Sequence, residues 1–218
     1  MTEARLRPGP ASLLGLAALC ACAAPQVAYN AKADFSQIHR VAVVAFGGAG
    51  GEQAADMLLQ DLLACGADVV ERQRLDAVLR EQQLSTQGLL DPATVKRVGK
   101  ILGVDAIFVG TVTNYVASQS YLVSTPGAGN YVIGAVTPIG PGNLIPEGSA
   151  PGVPGSQVLA TAASVGLIAR MVDVETGSVL WSARMTYEGL DTETAMATIT
   201  ESFAESLVPI WPALHALK

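Results

Sequence analysis

Residues 40–51 read Arg-Val-Ala-Val-Val-Ala-Phe-Gly-Gly-Ala-Gly-Gly, and this stretch gives the clearest indication of the fold. Its compact apolar run contains β-branched residues and predicts a buried strand. The glycines predict a tight turn into a helix from about 52 to 65, which ends at Gly66. One face of that helix is an apolar stripe of Ala55, Leu58, Leu59 and Leu62. A strand, a turn and a helix in succession are typical of an α/β layer.

The same alternation continues along the chain. A strand at 68–71 precedes an amphipathic segment that places Leu75, Val78, Leu79 and Gln82 on one face. A helix follows, with Asp91 as its N-cap, Pro92 at its first position and Gly103 at its end. Strands follow at 106–115, 159–174 and 178–187, and then a helix capped by Asp191. On the last of these strands, Val179 and Trp181 share one face, where Trp181 is expected to be buried. The last helix carries a core stripe of Met196, Ile199, Phe203 and Leu207. The predicted fold class is α/β, a three-layer-like domain with a mixed sheet flanked by helices.

The N-terminus predicts an exported, lipid-anchored protein. Arg5 and Arg7 precede a short apolar run, as in a bacterial signal peptide. The run ends in Leu-Cys-Ala-Cys, which resembles a lipobox with Cys22 as the acylated residue. An ordinary cleaved secretory peptide is the alternative. No Asp follows Cys22, so the outer membrane, at its periplasmic face, is favoured over the inner membrane.

These features divide the chain into a signal peptide (1–21), an Ala-rich tether (22–38), the α/β domain (39–208) and a C-terminal tail (209–218). Within the domain, residues 118–158 form a Gly/Pro-rich insert in which Glu147 is the only charged residue. Its six prolines disfavour a regular lipid-facing hairpin. The long strand-like flanks predict instead that paired extensions of the sheet carry the insert outwards.

Composition excludes several functional classes. The full chain has 218 residues, 15% of them charged, and a net charge of −6, which becomes −7 when residues 1–21, with two arginines and one glutamate, are removed. An acidic chain with scattered cations is unsuited to nucleic acid. No apolar stretch reaches the roughly 18–20 residues of a spanning helix. Three cysteines and two histidines leave little from which to build a metal site.

No catalytic or cofactor site is predicted, and the protein is not expected to be an enzyme. The loop 47–51 lacks the Gly-Lys-Ser/Thr ending of a phosphate loop, so a tight turn is favoured over a phosphate cradle. His39 and His215 are poorly placed as general bases, and Cys65 is expected to be a buried thiol. The mixed charges on 72–81 indicate either a solvated surface or a subunit contact.

Several segments together resemble the curli production assembly/transport component (CsgG) family. They are the lipobox, the strand and Gly loop at 41–51, Val-Val-Glu-Arg-Gln-Arg-Leu at 69–75, Leu-Gly-Val-Asp-Ala-Ile-Phe-Val-Gly-Thr at 102–111, and Val-Asp-Val-Glu-Thr-Gly-Ser-Val-Leu-Trp at 172–181. The resemblance implies an outer-membrane lipoprotein, anchored through Cys22, whose periplasmic domain forms a homo-oligomeric ring. It also implies a role in secretion or assembly of surface fibre or envelope components.

One departure from the family leaves two functions open. The founding members insert two membrane-spanning hairpins per subunit, and the insert 118–158 stands at the first position. The stretch between Tyr187 and Asp191 is too short for the second. The alternative to a secretion component is therefore a non-pore envelope adaptor, resembling the lipoproteins that activate peptidoglycan synthases. A secreted fibre subunit or an envelope protein is the expected partner.

Overall fold

A computed structural model of the chain describes residues 24–70, 92–124, 131–133, 144–148 and 156–217. Its strands are β1 (Gln26–Tyr29), β2 (Arg40–Val43), β3 (Asp68–Val70), β4 (Ala106–Val116), β5 (Ser120–Ser124), β6 (Tyr131–Ile133), β7 (Leu144–Gly148), β8 (Ser156–Thr161), β9 (Ala163–Asp173) and β10 (Val179–Gly189). The helices in these ranges are α1 (Gly51–Ala64), α2 (Pro92–Leu102) and α3 (Thr192–Leu207).

The main sheet has six strands in the order β1-β10-β9-β4-β2-β3. The strands β3, β2 and β4 are parallel, as expected for β-α-β connections, whereas β4, β9, β10 and β1 pair antiparallel. Helices cover both faces of this mixed sheet, so the predicted three-layer α/β fold class is confirmed. Strands β6-β5-β8-β7 form a second, smaller sheet.

The two faces of the main sheet differ in their cover. We call the face under α1 and α3 the front face, where side chains from both helices meet β4, β9 and β10 in one large core. Trp181 lies in this core, fully buried between Phe108 and Phe203, as predicted. The opposite, back face is covered in part by α2, through a smaller cluster that includes Val98 and Leu102. Helices on both faces explain why the central strands are apolar on both sides.

The predicted helix boundaries follow from local signals that the structure retains. The side chain of Asp191 accepts a hydrogen bond of 2.7 Å from the Thr194 amide, which caps α3. The four residues of the predicted α3 stripe are all fully buried. Helix α2 ends before Gly103, whose positive φ of 67° suits glycine. The segment 71–91, including Asp91 and the amphipathic helix predicted there, lies outside the described residues.

The prediction of a tether over 22–38 is wrong for most of its length. Residues Gln26–Tyr29 form β1 and pair with β10. A 3-10 turn at Phe35–Gln37 follows, and Phe35 and Ile38 are buried in the front core. The strand has four residues, all exposed, and is specified by its partner β10 rather than by its own apolar pattern.

The predicted C-terminal tail, 209–218, is also part of the fold. Trp211 is fully buried and Leu214 nearly so. The indole Nε1 of Trp211 donates a 3.0 Å hydrogen bond to the carbonyl oxygen of Ile38. The two misassigned segments therefore stabilise each other beside the entrance to β2, a long-range pairing that local sequence does not reveal.

Two predictions about strands need smaller corrections. The strand predicted at 159–174 is interrupted at Ala162, where the chain passes from the second sheet to the first. Val179, predicted to share the buried face of Trp181, is 45% exposed because the pairing of β10 with β9 shifts register between these two residues. Leu180 is buried instead.

Candidate functional site

The second sheet is a direct extension of the first, and we call strands β5 to β8 the arm. Strands β4 and β9 pair from Ala106 opposite Asp173 to Val116 opposite Ser164. Strands β5 and β8 continue the same ladder after a short break that is closed by two hydrogen bonds between Gln119 and Thr161. In the part of the insert that the structure describes, β5 and β8 therefore follow on from the paired strands β4 and β9.

One proline of the insert, Pro146, lies within the described residues, in an edge strand of the arm. Among the described residues of the insert, Pro146 lies in β7, which pairs on one side with β8. The pairing shifts register between Pro146 and Gly148, as expected for a residue that cannot donate a ladder hydrogen bond. The other five prolines of the insert lie outside the described residues. The strands of the arm contain three to six residues each.

The base of the arm is tightly built around the glycine loop. Gly47 bridges Thr111 in β4, and a side chain at Gly48 would collide with the carbonyl oxygen of Val112. A side chain at Gly50 would meet the Tyr115 ring at 2.7 Å. The amides of Gly47 and Gly51 donate to backbone carbonyls. The loop therefore lets α1 start close against β4, and its glycines serve this close packing.

Several features converge at the end of the main sheet from which the arm projects, which we call the arm end. Strand β1 runs antiparallel to β10, with Gln26 opposite Arg184 and Tyr29 opposite Trp181, so the chain enters β1 from this end. Strand β10 leaves the sheet here, and two residues, Leu190 and Asp191, connect it to α3. No second spanning hairpin fits in that connection, in agreement with the prediction.

Exposed apolar side chains mark the same end. Leu190 is 73% exposed and Val116 49% exposed. Tyr115 is partly exposed, while its hydroxyl lies 3.3 Å from the Thr192 hydroxyl at the start of α3. These side chains give the arm end exposed apolar groups at the end of the sheet where the N-terminal segment arrives.

The opposite, turn end of the sheet holds a polar cleft of about 480 Å³. Its carboxylates already serve the local fold: Asp105 accepts from the amides of His39 and Arg40 at 2.8 and 3.0 Å. Asp34 accepts from Ser36, and these hydrogen bonds lower the pKa of its carboxyl. Such acceptors hold turns together, and in this cleft they are not arranged as an acid–base pair.

The residues considered for chemistry are dispersed. His39 lies at the entrance to β2, and the exposed His215 packs its ring beside Gly66. Cys65 is buried, which raises the pKa of its thiol. In the described ranges, no three His, Cys, Asp or Glu side chains converge as a metal site would require. Cys22 precedes the described residues, so its acylation remains a prediction.

Comparison with known proteins gives the family. The sequence model of the family described as "Curli production assembly/transport component CsgG" matches residues 23–204. The chain belongs to this family. The match spans the main sheet, the arm and nearly all of α3. None of the helices that the structure describes is long and apolar enough to cross a membrane. Among curated proteins, none matches the chain.

Solved structures with a similar fold are distant in sequence. The PelC dodecamer from Paraburkholderia phytofirmans is 17% identical, with 85% of this chain and 96% of that chain covered and a TM-score of 0.44. Lipoprotein GNA1162 from Neisseria meningitidis is 16% identical over 69% and 80% of the two chains, with a TM-score of 0.43. The LpoB C-terminal domain from Salmonella enterica is 14% identical over 68% and 82%, with a TM-score of 0.37.

Proposed function

We propose that this CsgG-family protein is a lipoprotein held at the periplasmic face of the outer membrane, where it acts as a homo-oligomer in secretion or assembly of surface fibre or envelope components. The observation that supports this most strongly is the convergence of three features at the arm end. They are the incoming N-terminal segment, the arm and the exposed apolar side chains around Leu190.

The position of the N-terminus relates the predicted anchor to the arm. Cys22 stands two residues before Ala24, the first described residue. Because an extended chain advances at most about 3.6 Å per residue, Cys22 lies within roughly 7 Å of Ala24. An acylated Cys22 would thus hold the arm end towards the bilayer. Three acyl chains would make that attachment effectively permanent, since each buried methylene contributes about 0.8 kcal/mol.

The exposed apolar side chains favour the same orientation. Leu190 and Val116 are exposed at the end where the N-terminal segment arrives, and a bilayer surface beside the anchor would cover them. The turn end, with its polar cleft, would then face the periplasm. In this orientation the arm reaches the membrane while both helical layers remain accessible to other proteins.

The acylation proposal is tested at the N-terminus of the mature protein. Mass spectrometry of protein extracted from the outer membrane should show an N-terminal Cys22 that carries three acyl chains. Cys22→Ser should abolish the modification, whereas Cys20→Ser, the matched control in the same signal region, should leave it intact. An unacylated terminus at Ala23 or beyond would refute the proposal.

The non-pore adaptor is the second candidate, and one observation favours it. Two residues connect β10 to α3, so the second hairpin of the founding family members has no place there. We expect the arm to be a membrane-associated projection. The purified protein in planar bilayers should then show no steady conductance, and deletion of residues 125–156 should leave the α/β domain folded. Large, stable channels that disappear on deletion would instead favour a secretion pore.

A further inference from the structure

The two helical layers carry opposite charge. Helices α1 and α3, which form the front layer, contain six acidic residues and no Lys, Arg or His. The acids are Glu52, Asp56, Asp61, Glu193, Glu201 and Glu205. Helix α2 on the back face contains three basic residues and no acid, namely Lys96, Arg97 and Lys100, and all three are exposed. Among the helices that the structure describes, the sheet therefore separates acidic ones from a basic one.

The basic surface continues from α2 onto the sheet. Arg170 of β9 lies on the same face as Val172, which packs in the α2 cluster, and Arg184 of β10 pairs across the strands with Ile168. Both arginines are exposed, and Arg184 donates a 2.8 Å hydrogen bond to Gln26 in β1. This stretch of sheet borders a cavity of about 530 Å³ whose lining includes Ile168 and Arg184.

Three of the six acids of the front layer stand where the helices themselves do not favour negative charge. Glu201 and Glu205 are one helical turn apart and approach the C-terminus of α3, where negative charge opposes the helix dipole. Asp61 lies in the last turn of α1. Burial raises the pKa of its carboxyl, and Glu201 raises it further. An external cation would relieve this repulsion.

Apolar side chains accompany the charges on the back face. Ile101 of α2 is 46% exposed, and Ile168 between the arginines is 37% exposed. A partner that is acidic at its rim and apolar between its charges would complement this surface. The front layer offers both kinds of group, because its helices carry the six acids and Leu63 of α1 is half exposed.

We propose that the front layer of one copy docks on the back face of the next, with Glu201 and Glu205 opposite Arg170 and Arg184. This proposal rests on the proposed function, in which the protein works as a homo-oligomer. It adds which surfaces of neighbouring copies meet. Because the two surfaces lie on opposite sides of one sheet, the contact is head-to-tail and repeats from copy to copy. A small rotation at each step closes it into a ring.

Charge reversal tests the contact in the full mature protein, extracted in detergent and sized by mass photometry. The back-face variant is Arg170→Glu/Arg184→Glu, and the front-layer variant is Glu201→Arg/Glu205→Arg. Each alone should weaken self-association at least about tenfold, since close charge pairs couple across interfaces by more than that. Glu175→Arg in the exposed turn between β9 and β10 is the control and should assemble normally.

Mixing the two variants gives the decisive result. When copies of the back-face variant and the front-layer variant alternate, every contact again joins opposite charges. An equimolar mixture of the two variants should therefore form assemblies with an even number of copies. Wild-type assembly should also weaken as NaCl rises from about 0.05 to 0.5 M, because salt screens such pairs. A monomeric wild-type protein, salt-insensitive assembly, normal assembly of each variant, or folded variants that fail to rescue each other would overturn the proposal.

These measurements distinguish the contact from the proposed function. They are made in detergent solution and do not depend on the acyl chains or on any cargo. If the variants behave as expected but the purified protein carries no acyl chains, only the proposal of a lipid anchor at Cys22 is refuted. Binding of anionic lipid vesicles to the back face without self-association would overturn the contact and leave the anchor untouched.

Discussion

The two tryptophans of the chain are both fully buried but differ in one hydrogen bond, which permits a sharp prediction. The Nε1 of Trp211 donates to the Ile38 carbonyl at 3.0 Å, whereas the Nε1 of Trp181 has no partner among the described residues. Trp→Phe removes about the same volume at either site. At 211 it also removes the hydrogen bond and leaves a buried carbonyl unpaired. At 181 it removes an unpaired N–H and keeps an aromatic ring between Phe108 and Phe203.

The expected difference follows from these losses. A hydrogen bond contributes about 0.5–1.5 kcal/mol net, and an unpaired buried group costs about 1–3 kcal/mol. We therefore expect Trp211→Phe to lower the free energy of unfolding by about 1–3 kcal/mol more than Trp181→Phe does. Urea denaturation followed by circular dichroism measures both values. An equal loss, or a larger loss at 181, would refute the packing of the C-terminal segment against Ile38.

Three further predictions concern stability and packing. The native protein should emit at a buried-indole wavelength and resist iodide quenching, because both Trp181 and Trp211 are 0% exposed; ready quenching would contradict this. Asp61→Asn should raise the free energy of unfolding at pH 7. Urea denaturation at several pH values should show that this gain disappears below pH 3.8, the pKa of the Asp61 carboxyl in the unfolded chain. The sign follows because a carboxyl whose pKa is raised by folding loses stability as pH rises through the folded pKa. Gly48→Ala should lower the free energy of unfolding by more than about 1 kcal/mol, because the φ of Gly48 is 90° and an added Cβ would strike the carbonyl of Val112. An unchanged melting temperature would count against the observed loop geometry.

The elements that the sequence predicts well are those with strong local signals. Helix α1 shows a regular apolar stripe, α3 adds the Asp191 cap, and β10 alternates between apolar and polar residues from Trp181 to Glu188. In the helices the apolar stripe repeats over three or more turns, and in the strand the alternation repeats over three or more residue pairs. Residues that end an element, such as Gly66, are also visible in the sequence. The family resemblance depends on other segments, at 41–51, 69–75, 102–111 and 172–181, and it is confirmed by the family match over residues 23–204.

The elements that the sequence does not reveal depend on distant partners. Strand β1 has four exposed residues and exists because β10 offers a free edge. Trp211 follows a helix end and a proline, which predicts a tail, yet a pocket beside Ile38 buries it. The signal available was the tryptophan itself, since a large aromatic residue is seldom left in a solvated tail. The strand-like flanks of the insert predict an extension of the sheet, whereas the pairing of β6 with β5 and of β7 with β8 within the arm shows no local signal.

The central claim, that the arm end faces the outer membrane, is tested most directly by cross-linking to lipid in intact cells. A photoreactive amino acid is placed at Leu190 at the arm end or, as the matched control, at Glu175 at the turn end. These positions are separated by the length of β10, 11 residues or about 36 Å at roughly 3.3 Å per residue. Position 190 should give lipid adducts, and position 175 should give none. Adducts from position 175, or none from position 190, would contradict it.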